Sequence, residues 1–173
     1  MPRVLLYNGA GYLQQFPNSC WACCTRFVNN YYVSQGAHGQ NIFSDSALAA
    51  MLHMQPNAQT DIHDVLTQCH MHDGQDSEYI PQFSEITAEI DAGRMICVCV
   101  NPTRHGYLCD TPMVGGHYVV IIGYDTNQNQ ICVMDPANGS IAWQSFQQTS
   151  YIPPVGGAQF WCGTVFTNGL GAS

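Results

Sequence analysis

The spacing of apolar positions divides the chain into two kinds of sequence. The opening "MPRVLLYNGAGY" carries one short apolar run, which reads as a first strand. In "SCWACCTRFVNNYYV" the apolar positions then fall at Cys20, Cys23, Cys24, Phe27, Val28, Tyr31 and Tyr32. Steps of three and four mark one face of a helix. Pro17 keeps the preceding residues extended and Asn18 or Ser19 offers an N-cap, which places Cys20 in the first helical turn. Three more helical segments follow. "SDSALAAMLHM" is capped at Ser44 or Asp45, "TDIHDVLTQCH" at Thr60 or Asp61, and "PQFSEITAEIDAG" stops at Gly93.

From Arg94 the period changes. "RMICVCVN", "GHYVVIIGYD", "QICVMD", "SIAWQSF" and "AQFWCGTVF" are short, rich in β-branched and aromatic residues, and separated by Gly, Pro and Asn. Helices followed by strands predict an α+β fold. The expectation is one domain over residues 1–173, with a helical half at about 14–93 packed face to face on an antiparallel β half at about 94–168. A site at their junction would draw residues from both.

Composition narrows the function. Hydrophobic residues make up 46% of the 173, the globular range, and charged residues only 9%. With 12 acidic residues against 4 basic ones the net charge is -8, so the chain has almost nothing with which to neutralise phosphates, and a nucleic-acid partner is set aside. No apolar run approaches the roughly 20 residues that span a bilayer. The first residues have too short an apolar core for a secretory signal. Any export is therefore expected to use a route without a cleaved N-terminal signal, the alternative being a cytoplasmic protein.

Nine cysteines is an odd number, which a complete disulfide framework does not explain. Cys97 and Cys99 alternate along one face of a strand, and Cys132 and Cys162 sit in similar runs, so all four read as small buried hydrophobes. The cluster "SCWACC" admits three chemistries. Cys20 and Cys23 have the spacing of a redox Cys-x-x-Cys pair, but the βαβ alternation that should follow is missing. A zinc site would need a second pair, and neither Cys97 with Cys99 nor Cys69, His70 and His72 in "QCHMH" has the usual spacing. "HMH" reads instead as a solvated helix end.

The third chemistry is nucleophilic, with Cys20 attacking and a base, an orienting group and an oxyanion donor elsewhere. "GGHYVVIIGYD" puts His117 at the entrance of a strand behind two glycines. A turn at "DTNQNQ" folds the next strand, "QICVMDP", back on it, so Asp135 is expected almost opposite His117. Gln14, six positions before Cys20, can donate to an oxyanion beside the Cys20 backbone N–H, with Gln15 as the competing donor. The plain readings are a buried thiol at Cys20, a carbonyl-bonded core histidine at His117 and a simple Asp-Pro turn at Asp135. They explain each residue singly and not the set. His105, in a turn-rich loop, and Asp125, at the hairpin turn, lack such partners. Cys23 and Cys24 face the core, and Trp21, Trp143 and Trp161 read as core or rim packing.

In this order, Gln14, "SCWA" opening a helix, "GGHYVVIIGYD" and "MDPANG" resemble the papain-like cysteine peptidases. The compact bacterial members are most similar: the secreted effector proteases of pathogens and the double-glycine leader peptidases of bacteriocin exporters. "AEIDAGRMICVCV" also resembles the helix and strand that precede their histidine. The resemblance implies Cys20 as nucleophile, His117 as general base and acid, Asp135 as orienter and Gln14 as oxyanion donor, acting on a protein or peptide without metal or cofactor. His117 follows Cys20 by 97 residues, against roughly 130 to 150 in plant papains. Trp21 stands where leader peptidases usually carry glycine, and no transporter follows, which favours the effector-like branch and a toxin or virulence role. Only 13 residues precede Gln14, too few for an inhibitory prodomain, so either one was removed before this numbering begins or restraint is expected from delivery, a host activator, an immunity protein or another separate inhibitor. A thiol at a helix start beside an imidazolium is acidified to roughly 3.5–7.5, giving a resting thiolate–imidazolium pair. Two alternatives stand beside the endopeptidase. The same residues acting on a glutamine side chain or a cell-wall peptide give a deamidase, transglutaminase or amidase, and a domain that has lost turnover gives a binding module.

Overall fold

A computed structural model describes residues 3–77, 80–101, 116–146, 150–151 and 159–168. The expected long helix is α1, Cys20–Ser34, and eleven of its fifteen residues are buried. Helix α2, Asp45–Met51, starts at an N-cap Ser44 whose side chain accepts from the Ala47 N–H. Helix α3, Ile62–Gln68, starts at Asp61, which accepts from the His63 N–H. Helix α4, Phe83–Asp91, has a capping box between Gln82 and Glu85. It ends as anticipated near Gly93, whose φ of +76° is a conformation glycine adopts without penalty.

The strands form one antiparallel sheet. Its main path holds β2 (His72–Ser77), β8 (Gln159–Thr167), β3 (Ile96–Asn101), β4 (His117–Asp125), β5 (Gln130–Asp135) and β6 (Ser140–Ser145), in that spatial order. Two short strands lie off this path: β1 (Arg3–Leu5) pairs with β4, and β7 (Ser150–Tyr151) pairs with β8. All six residues of β3 are buried, which its near-continuous apolar sequence requires.

The α+β class holds, with the halves less cleanly separated than the sequence suggested. "HMH" is not a solvated helix end. Helix α3 stops at Gln68, His70 turns the chain with φ of +57°, and His72 opens β2, which pairs with the late strand β8. The helical half also supplies layers to both faces of the sheet. On one side Trp21, Cys24, Phe27 and Val28 of α1 pack with Leu48, Val65 and Leu66 against Cys97, Val120, Ile122, Cys132 and Met134. On the other, Ile86 and Ile90 of α4 pack against Ile96, Val98, Val119, Ile121 and Val133. Val120 and Ile122 thus serve one core and Val119 and Ile121 the other, as strand alternation demands, until past the irregularity after Ile121 Tyr124 joins the second core. Among the described residues, no helix is long and apolar enough to cross a membrane.

Candidate active site

The site lies where the start of α1 meets the β4–β5 hairpin. Cys20 is the first residue of α1. Ser19 occupies the N-cap position, yet its side chain makes no capping bond to the helix. Its hydroxyl donates instead to Asp45 Oδ2 at 2.7 Å and accepts from the Phe16 N–H at 3.0 Å. No acidic residue stands in the first turn. The opening N–H groups of α1 therefore lack a side-chain acceptor, and the positive end of the helix dipole is left beside the Cys20 sulfur.

His117 Nε2 lies 2.7 Å from Asp135 Oδ1. The pairing differs from a directly opposed couple. Val120 faces Met134 and Ile121 faces Val133, so continuing that register sets Asp135 opposite residue 119, two positions from His117. The two side chains share a face as diagonal neighbours, within reach of long side chains in an antiparallel pair. A register irregularity between Ile121 and Gly123 shifts the hairpin by one residue, which counting back from the turn misses. Asp135 also opens the following turn, because Oδ1 accepts from the Ala137 N–H at 2.9 Å. The turn role and the histidine contact coexist in one carboxylate.

His117 is mostly buried, and burial is the largest influence on its ring, pulling the pKa down. The hydrogen bond to Asp135, a hydrogen bond to Cys20 and the negative charge of both partners together override it and push the pKa up to about 9. With Nε2 committed to Asp135, Nδ1 is the nitrogen that remains for Cys20. The neighbouring thiols differ from Cys20 in their surroundings. Burial pushes Cys23 up to about 12, and Cys24 is raised well above its ordinary value for the same reason. Their sulfurs point at the carbonyls of Tyr12 and Tyr118.

Gln14 and Gln15 take different parts. The Gln15 side chain accepts from the N–H groups of Asp45 and Ser46, at 3.0 and 3.4 Å, at the start of α2. Gln14 stays on the α1 side. Its Nε2 donates to the carbonyls of Phe16 and Pro17, at 2.9 and 3.0 Å, and its Oε1 is buried with no hydrogen-bond partner. The Gln14 backbone N–H donates to Pro136 O at 2.9 Å, tying it to the residue after Asp135. The strap before Gln14 lies tight on the same turn, since a Cβ on Gly11 would sit 2.4 Å from Gly139 O.

The remaining candidates lie away from this junction or outside the described residues. Asp125 holds Arg3 at 3.0 Å and accepts from the Asn127 and Gln128 N–H groups, so it shapes the hairpin turn. Trp21 is buried with Nε1 donating to Ala58 O, Trp161 is buried against Phe146, and Trp143 stacks under Arg3. His105 lies outside the described residues. Sequence reasoning assigned Asp45 a capping part and missed its contact with Ser19. An acid just inside a helix start carries no mark of what it reaches 26 positions away.

A thiol at a bare helix start, an imidazole beside it and a carboxylate behind the imidazole, on an α+β fold, define the papain-like class of cysteine peptidases. The chain belongs to the Peptidase_C39 like family, whose model matches residues 9–153. It is accordingly a cysteine protease, a hydrolase of peptide substrates. Two solved structures share the fold. A putative C39-like peptidase from Bacillus anthracis is 16% identical, with a TM-score of 0.56 over 86% of this chain and 90% of that one. Xylellain, a cysteine protease from Xylella fastidiosa, is 12% identical, with a TM-score of 0.60 over 96% of this chain and 85% of that one. No curated protein matches the sequence significantly.

Proposed function

We propose that the protein hydrolyses peptide bonds with Cys20 as nucleophile, His117 as general base and acid, Asp135 as its orienting partner and Gln14 as an oxyanion donor. The observation that supports this is the contact of His117 Nε2 with Asp135 Oδ1 at 2.7 Å, on a ring whose pKa that carboxylate and the neighbouring Cys20 push up to about 9 against the pull of burial. The sulfur attacks the scissile carbonyl and the carbonyl π electrons move to oxygen. That oxyanion is received by the Cys20 N–H and, once it turns from the Phe16 and Pro17 carbonyls, by the Gln14 amide. His117 gives its proton to the leaving amine. Water then attacks the thioester, with His117 taking the water's proton, and releases the carboxylic acid and the thiolate.

Cys20→Ala tests this directly, on a labelled unfolded protein as substrate. The variant is expected to fold normally and cleave nothing, because a thiol-to-methyl change removes little packing. Cleavage at the wild-type rate would refute the assignment. We further propose that the enzyme acts on proteins of another cell. The sequence resemblance to compact effector proteases supports that role, and detection of the chain in culture supernatant or recipient cells tests it.

A further inference from the structure

The buried carboxylate of Asp45 touches neither the proposed nucleophile nor its base, and the chemistry above does not use it. Asp45 is fully buried. Its Oδ1 is matched by Arg26 Nε, from the second turn of α1, at 3.1 Å. Its Oδ2 accepts two bonds of 2.7 Å, one from the Gln15 backbone N–H and one from the Ser19 hydroxyl. Gln15 is the residue after Gln14, and Ser19 is the residue before Cys20. A single carboxylate oxygen therefore fastens the chain next to both groups that would hold the oxyanion. The Gln15 side chain returns the contact to the Asp45 N–H, so the clamp is two-sided.

The loop between these points is also held at its middle, where Asn57 accepts from the Asn18 N–H and Nδ2 and the Gln14 amide donates to the Phe16 and Pro17 carbonyls. Ser19 N donates to Phe16 O and Phe16 N to Ser19 Oγ, which closes the turn upon itself. These bonds move with the turn. Asp45 belongs to another helix, and it takes a bond from each end of the loop. A charged acceptor forms shorter and stronger bonds than a neutral one, and here it is shared between the two sides of the hole. Donating to Asp45 and accepting from the Phe16 N–H, the Ser19 hydroxyl makes no bond to the first N–H groups of α1, where an N-cap serine would otherwise accept.

We infer that Asp45 is a positioning residue that sets the spacing of the two oxyanion donors, Gln14 and the Cys20 N–H, an inference that rests on the roles proposed above. Stabilising an oxyanion depends on donor placement within a fraction of an ångström, whereas displacement of iodide from iodoacetamide by a thiolate needs no oxyanion. The two reactions of Cys20 should therefore separate when the clamp is weakened.

The test compares acylation by p-nitrophenyl acetate with alkylation by iodoacetamide, both followed at Cys20 by mass spectrometry with Cys20→Ala as blank. In Asp45→Asn, acylation is expected to fall roughly ten- to a hundred-fold while alkylation stays near the wild-type rate. Ser19→Ala, which removes one of the two bonds together with the acceptor of the Phe16 N–H and leaves the Asp45–Arg26 pair whole, should show a smaller loss of the same kind. It decides the question alone if Asp45→Asn does not fold. Unchanged acylation in the folded variants, or equal falls in both reactions, would overturn the inference. A wild-type protein inert to both reagents would instead overturn the nucleophile role of Cys20, and the part of Asp45 with it.

Discussion

His117 and Asp135 meet across a diagonal of the β4–β5 hairpin, Nε2 to Oδ1 at 2.7 Å, rather than face to face. The same Oδ1 accepts from the Ala137 N–H, so the carboxylate is held by its own turn while it holds the ring. Orientation and charge are then separable by mutation. An amide keeps an acceptor for the turn and the ring, and an alanine keeps neither.

Asp135→Asn should retain much of the activity, and Asp135→Ala should lose orders of magnitude in kcat/KM, as is typical when a supporting member of a triad is deleted. Steady-state kinetics on one peptide substrate checks the order. An alanine variant equal to wild type would show that the hairpin contact is ornamental to catalysis.

The pH profile gives a second handle. The pKa of His117 is raised to about 9, so the proposed mechanism predicts that kcat/KM falls as the pH rises through that value. Asp135→Asn removes a negative charge that favours the imidazolium, and its alkaline limb should therefore begin at lower pH. Stability follows the same sign. The folded pKa is raised above the ordinary histidine value of 6.5, so the contribution of His117 is complete below about 6.5 and is lost as the pH climbs through about 9. Urea unfolding of wild type and Asp135→Asn at pH 6 and at pH 10 should show the gap between them narrowing at the higher pH. A gap that is constant with pH would contradict the charged-histidine assignment.

Cys23 is the control for Cys20. It is three residues along the helix, fully buried, and its thiol is pushed up to about 12 by burial, so it has no reactive thiolate at neutral pH. Cys23→Ala should leave turnover close to wild type. A loss equal to that of Cys20→Ala would bring back a paired role for the two sulfurs.

Trp21 anchors the helix that carries Cys20, the proposed nucleophile. It is 1% exposed, packs in the α1 core and donates from Nε1 to Ala58 O at 2.8 Å. Trp21→Ala should cost about 3–5 kcal/mol of folding stability, read from denaturant unfolding. Its remaining activity per folded molecule tells how far the Cys20 turn depends on that anchor.

Local pattern made α1, the capped starts of α2 and α3, and the strands β3 to β6 legible, since each rests on a periodicity or a side-chain cap within a few residues. The α+β class followed from their order. What stayed hidden depends on distant contacts. His72 joins a strand because β8 offers it a partner nearly a hundred positions on, and Ser19 loses its capping role to a carboxylate from another helix. The one-residue irregularity in the β4–β5 hairpin has no local signature either, so the His117–Asp135 proximity was foreseen while its geometry was not.

The central claim is that Cys20 cleaves peptide bonds, and the most direct measurement is sequencing of the protein N-termini generated in a cell lysate. Wild type and Cys20→Ala are incubated in parallel with the same lysate. New N-termini should appear with the wild-type protein and be absent with the variant. Glutamine residues heavier by about one dalton with no new N-termini would contradict the claim, as would identical sets of N-termini from both proteins.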